Sequence, residues 1–95
     1  MLVHIVCFKY KADVDASTAQ EHRDRLRALA NLDGIVDLKV GADIMRAARS
    51  YDTGLVITFR DRAAHDAYQA HPRHLEIGRF IVPKCEQLIA VDFIE

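Results

Sequence analysis

The sequence predicts an α+β domain whose elements run β-α-β-β-α-β. Three observations predict it. Apolar residues alternate or run together at strand spacing in four stretches, they recur at helical spacing in two others, and each helical stretch separates two strands. Nothing in the 95 residues reads as an internal repeat, a linker or a low-complexity tract, so residues 1–95 are expected to form one domain.

Residues 2 to 10 are a nearly continuous apolar run rich in β-branched and aromatic side chains, the mark of a strand buried on both faces. Ser17-Thr18-Ala19-Gln20 has the spacing of a capping box and predicts that a helix follows. Ala19, Arg23 (through its stem), Leu26, Leu29, Ala30 and Leu32 trace its inner stripe, Glu21 and Arg25 are set for an i,i+4 ion pair, and Gly34 supplies a left-handed stop. Val36, Leu38, Val40 and Ala42 then alternate with Asp37, Lys39 and Gly41 as a second strand. Residues 42 to 50 read as an irregular loop whose Arg46 and Arg49 form a solvated face. Tyr51, Thr53, Leu55, Ile57 and Phe59 line one side of a third strand. Asp61 caps a second helix in which Ala63, Ala64, Ala67 and Tyr68 share a face. Pro72 breaks it after His71, a further helical piece spans about residues 73 to 80, and Pro83 closes that piece. Leu88 to Ile94 is the fourth strand.

This order is the ferredoxin-like split βαβ arrangement, a four-stranded antiparallel sheet with both helices on one side. Two helices cover one face only, yet the outer strands of the sequence are apolar on both. His4, Val6 and Phe8 alternate with Val3, Ile5 and Cys7; Leu88 and Ala90 alternate with Ile89, Val91 and Phe93. An uncovered set would exceed the ~400 Å² apolar patch that soluble monomers tolerate. A second copy packed sheet to sheet about a two-fold axis covers it most economically, which predicts a homodimer, a dimeric α/β barrel.

Composition narrows the function. Thirteen Lys and Arg against 14 Asp and Glu leave a formal charge of −1, without the positive excess that drives binding to nucleic acid or anionic membranes. Cys7 and Cys85 form no metal or redox spacing and are expected to be free, mostly buried thiols. The short opening run lacks a basic leader, so the expected location is cytoplasmic. The absence of a Gly-rich phosphate loop and of a haem-ligand pattern predicts no flavin, nicotinamide or haem, hence no cofactor.

The residues themselves resemble a known family. His4-Ile5-Val6-Cys7-Phe8-Lys9-Tyr10-Lys11, Gly41, Tyr51-Asp52, Thr58-Phe59, the segment Tyr68-Gln69-Ala70-His71-Pro72-Arg73-His74 and the closing Val91-Asp92-Phe93 are similar to the stress-responsive dimeric A/B barrel (Dabb) proteins along the whole chain. The most specific part is Y-x-x-H-P-x-H together with the N-terminal histidine. The resemblance implies a ferredoxin-like protomer whose sheet pairs with another into a barrel, helices outside. By similarity to a plant polyketide cyclase of that family, it also implies His74 as a base with Tyr68 as its partner and His4 lining the pocket. The chain departs from that enzyme at Thr53, where the enzyme has a histidine, and along the first helix, so no substrate carries over.

The expected site is an apolar compartment between helices and sheet. His4, Val6, Phe8, Leu26, Leu55, His71, Ile77 and Leu88 would line it and Tyr68 and His74 would do its chemistry. A neutral imidazole removes a proton near pH 7 while a phenol hydroxyl holds the developing oxyanion. The same turn has a structural reading, in which Pro72 breaks the helix and His71 and His74 hydrogen-bond the freed carbonyls. No metal is expected, because no carboxylate or cysteine stands at ligand spacing beside the histidines. Three functions follow in order: a dimer that binds a small apolar or carbonyl ligand, a cofactor-free cyclase or lyase, and a pure assembly module.

Overall fold

The computed structural model describes Met1–Glu95. Leu2–Tyr10 forms β1, Ala16–Arg27 forms α1 and continues into a 3₁₀ turn at Ala28–Asn31, and Ile35–Ala42 and Thr53–Phe59 form β2 and β3. Arg62–Ala70 forms α2, Pro72–Ile81 forms α3 with a 3₁₀ turn at Val82–Lys84, and Cys85–Ile94 forms β4. The strands lie in the order β2-β3-β1-β4, antiparallel throughout, so the ferredoxin-like expectation is met. Met1 and Glu95 meet across β1 and β4, the terminal amine donating to the Glu95 carbonyl at 3.2 Å and the Glu95 N–H to the Met1 carbonyl at 3.1 Å.

The pleat sets the two faces. Toward the helices point Leu2, His4, Val6, Phe8 and Tyr10 of β1 with their partners Phe59, Ile57, Leu55 and Thr53 of β3, all buried. With Leu26, Leu29, Ala64, Tyr68, Ile77 and Ile81 from the helical layer they make the core. The other face holds Val3, Ile5, Cys7, Val56, Ile89, Val91 and Phe93. Along β4, Ile89, Val91 and Phe93 stay 52, 53 and 44 % exposed. Gly41 and Gly54 stand opposite each other beside Cys7 and, lacking side chains, leave a notch of about 460 Å³ in this open face.

Several local expectations need correction. The cap of α1 is Asp15, whose carboxylate accepts from the Thr18 N–H at 2.8 Å; Ser17 already lies inside the helix and bonds Asp15 in turn. A carboxylate one residue before the helix simply reaches the orphan N–H groups better than a hydroxyl within its first turn. Ala30 is exposed, and His22, absent from the expected stripe, is buried in it. Val36 is 54 % exposed because a register shift between Ile35 and Asp37 turns it out of the alternation. Tyr51 precedes β3 and bonds Gln87 at 2.7 Å on the open face. On α2 only Ala64 and Tyr68 are buried, with His65 half-buried beside them; Ala63 and Ala67 face outward. β4 begins at Cys85, three residues early, and both cysteines are half-buried rather than buried.

Other expectations hold. Glu21 and Arg25 pair at 2.5 Å, and Asp61 caps α2 by accepting from the Ala64 N–H at 2.8 Å. Gly34 has φ +89°, and a Cβ there would come within 2.6 Å of the Ala64 Cβ. The glycine therefore fixes both the turn into β2 and the approach of α2. Arg46 closes the loop before β3 by donating to Asp52 at 2.7 Å and to Asp43 at 3.4 Å.

Candidate functional site: the cavity between helices and sheet

α2 and α3 cover β1 and β3 more fully than β4, so Leu88 on the inner face remains 43 % exposed. The gap is the mouth of a cavity of about 310 Å³, floored by Val6, Phe8, Leu55 and Leu88 and roofed by Leu26 and Ile77. His4, Tyr68, Gln69 and His74 border it too. Of the residues expected to line this space, only His71 is missing.

His71 is instead the cap of α3. Pro72 occupies the first turn of that helix, where it needs no N–H partner, and the His71 imidazole accepts from the Arg73 N–H at 3.1 Å. The helix therefore breaks between Tyr68 and His74 rather than running through. Arg73 anchors the restart by donating to the Ala28 carbonyl at 2.5 Å and to the Asn31 side chain at 3.3 Å. His74 then folds back over Tyr68, ring centroids 4.4 Å apart, and its Nδ1 sits 3.3 Å from the Gln69 carbonyl. A carbonyl only accepts, so Nδ1 carries the proton and Nε2 is left as the basic nitrogen. Burial is the largest influence on His74 and lowers its pKa, favouring the neutral ring. Burial likewise holds the Tyr68 phenol well above its ordinary range, so its hydroxyl is a proton-bearing donor.

His4 is held differently. Its Nδ1 bonds the Asp92 carboxylate, its cross-strand neighbour on β4, which leaves Nε2 as the free nitrogen. Its ring meets Tyr68 at 6.1 Å and His65 at 5.3 Å, both edge to face. His65 reaches Asp92 at 3.5 Å with Nε2 and Asp66 at 3.4 Å with Nδ1. A carboxylate does therefore stand beside the histidines, contrary to the expectation from spacing. His4, His65 and Asp92 each bring a ligand atom within 4.8 Å of the others. Of the three, His4 and Asp92 hydrogen-bond each other, which fixes the tautomer of His4, while His65 Nε2 accepts from the Gln69 side-chain amide at 3.2 Å.

Deeper in, Tyr10 joins β1 to α1 and β3. Its hydroxyl lies 2.7 Å from His22 Nδ1 and 2.8 Å from Thr53 Oγ1, and Arg23 donates to the same Thr53 oxygen at 3.0 Å. Sequence reasoning missed His22, His65 and Asp92 as partners of the site. The only signal for His22 was its position four residues before Leu26 on the inner stripe.

A ferredoxin-like protomer with an apolar sheet face on one side and a histidine- and tyrosine-edged cavity on the other is the architecture of the dimeric α/β barrel proteins. The stress-responsive A/B barrel (Dabb) domain model matches residues 2–95, and the chain belongs to that family. It is 28 % identical over 96 residues to a stress-response A/B barrel domain-containing protein of Arabidopsis thaliana, covering 99 % of this chain and 36 % of that protein. It thus spans about a third of the length of that relative. Among solved structures, a dimeric ferredoxin-like protein of unknown function from Thermobifida fusca superposes with a TM-score of 0.90 at 27 % identity, covering 99 % of this chain and 90 % of that one. A hydroxynitrile lyase from Passiflora edulis shares the fold, with a TM-score of 0.88 at 21 % identity over 99 % and 92 % of the two chains. No helix is long and apolar enough to cross a membrane.

Proposed function

We propose that this chain acts as a homodimer, joined through the open sheet face, that binds a small, mostly apolar carbonyl compound between helices and sheet. The observation carrying the ligand reading is the cavity of about 310 Å³, apolar along its floor, with polar groups converging at one end. That volume is at the lower end of what small-molecule sites use. Tyr68 offers a hydroxyl proton there and His74 an unprotonated nitrogen, a pair that suits a ligand oxygen and a neighbouring acidic proton. Support for the dimer comes from the exposed apolar row of β4 and from the dimeric state of the Thermobifida fusca structure. The two free thiols fit a cytoplasmic setting.

A ketone and fatty-acyl fragment screen followed by crystal soaking tests the ligand reading. The expected result is density between Tyr68, His74 and Leu88. His74→Ala should weaken the ligand while leaving the melting temperature within about 2 °C, and a cavity that takes no fragment at all refutes the idea.

A second reading, favoured by the tautomer-fixed imidazoles, is cofactor-free proton transfer of the cyclase or lyase kind. His74 Nε2 would take a proton from carbon or hydroxyl, and the Tyr68 O–H would hydrogen-bond the oxygen that gains charge. Tyr68→Phe and His74→Ala would each then lower turnover by about 10²-fold or more. The hydroxynitrile lyase of like fold makes cyanohydrin cleavage a sensible first assay.

A further inference from the structure

The proposed chemistry leaves His22 unused, and its hydrogen bonding is incomplete. The side chain is 0 % exposed, and its Nε2 is the one buried side-chain nitrogen or oxygen with no protein partner. Nδ1 is taken by Tyr10, so Nε2 lies on the opposite side of the ring. His22 borders the cavity next to Phe8, the two rings meeting edge to face at 4.6 Å. A buried polar group left unbonded costs roughly 1–3 kcal/mol, and a native fold seldom keeps one that nothing completes.

The hydrogen bonds behind the ring decide what Nε2 offers. Arg23 at the head of the series can only donate, so Thr53 accepts from it. The Tyr10 hydroxyl is the sole other partner of Thr53 Oγ1, and the arrangement that leaves no hydroxyl proton unbonded sends the Thr53 O–H to Tyr10. Tyr10 in turn donates to His22 Nδ1. Each hydroxyl then accepts one bond and donates one, and the single proton of the neutral imidazole is left on Nε2. Burial, reinforced by the Arg23 charge, lowers the His22 pKa to about 4, which keeps the ring neutral under ordinary conditions.

We propose that the His22 Nε2–H is a second, inner anchor of the cavity, donating to a neutral carbonyl oxygen at one end of an elongated ligand whose other oxygen meets Tyr68 and His74. The inference rests on the cavity being a small-molecule site, as read above. His4, which packs on Tyr68, and Phe8, which packs on His22, are four residues apart on β1, about 13 Å of strand. The ligand therefore has an apolar middle and an oxygen toward each end. A neutral donor does little to offset the burial of a carboxylate, so the inner oxygen belongs to a ketone, aldehyde or ester.

Calorimetric titration of 2-nonanone and nonane-2,8-dione tests this in the full chain and in His22→Leu. The diketone is expected to bind the unaltered chain about tenfold more tightly than the monoketone, the scale of one added hydrogen bond. His22→Leu should erase that preference and leave 2-nonanone within about twofold. Nitrogen-15 NMR of histidine-labelled protein needs no substitution: the His22 proton should sit on Nε2, and that resonance should shift with the diketone. A preference that survives His22→Leu, or an Nε2 resonance that no ketone moves, overturns the inner anchor while 2-nonanone binding still supports the cavity. If neither ketone binds the unaltered chain, the cavity reading fails and the anchor fails with it.

Discussion

His22 ties stability to pH in a direction that follows from its burial. In the unfolded chain the imidazole takes up a proton near its ordinary pKa of 6.5, whereas in the fold it resists until about 4. The unfolded state thus binds more protons as pH falls between those values. Stability is complete above about 6.5 and declines toward 4, by on the order of 3 kcal/mol if the whole shift is expressed. His74, lowered chiefly by burial, adds to the loss with the same sign. Thermal melts from pH 7.5 to 4.5 should show the decline, and His22→Leu should flatten it while retaining the His74 part; a variant with an undiminished slope contradicts the assignment. Gly34 makes a second test. Gly34→Ala forces a side chain into left-handed backbone and onto Ala64, and a loss of about 1–3 kcal/mol in chemical denaturation is expected.

At the scale of elements, caps and breaks place the site. Asp15→Ala should destabilise by about 1 kcal/mol and Ser17→Ala by a few tenths, reversing the ranking that the capping-box spacing suggests. The break at Pro72 lets His74 turn back onto Tyr68, whereas an unbroken helix would set the two, six residues apart, about 120° from each other around its axis. The strands, the faces of β1 and β4, Asp61 and the stop at Gly34 were legible because each depends on periodicity or on one residue's backbone preference. Most of the cavity wall was legible for the same reason. His71 was misplaced because its role as a cap depends on where the second helix restarts. Asp92 and His65 were illegible as partners of His4, since the carboxylate lies 88 positions away in sequence and only the register of β1 with β4 brings it alongside. Val36 escaped its expected face through a register shift that no local pattern announces.

For the whole molecule, the open face is the surface through which the proposed dimer would join. Covering apolar surface is worth about 2.5 kcal/mol per 100 Å², and the row Ile89, Val91 and Phe93 belongs to a contiguous apolar sheet. Val91→Lys is expected to shift sedimentation at micromolar concentration from dimer to monomer, with the cavity on the other side unaffected. An unaltered chain that already sediments as a monomer refutes the dimer. In the proposed dimer the notch at Gly41 and Gly54 lies in the covered face, so Gly54→Val, whose Cβ meets nothing within the protomer, should weaken association more than it alters protomer stability.

The pairing of Met1 with Glu95 makes the chain nearly cyclic. Because the two ends already hydrogen-bond across adjacent strands, a short Gly-Ser bridge can join them without moving either. Cutting the circle between Ala47 and Ser50 then gives a rearranged gene order, β3 first and β2 last, on an unchanged tertiary structure. Such a permutant should fold with the strand order β2-β3-β1-β4 intact, and its new ends, in the loop between β2 and β3, offer a place to attach a reporter.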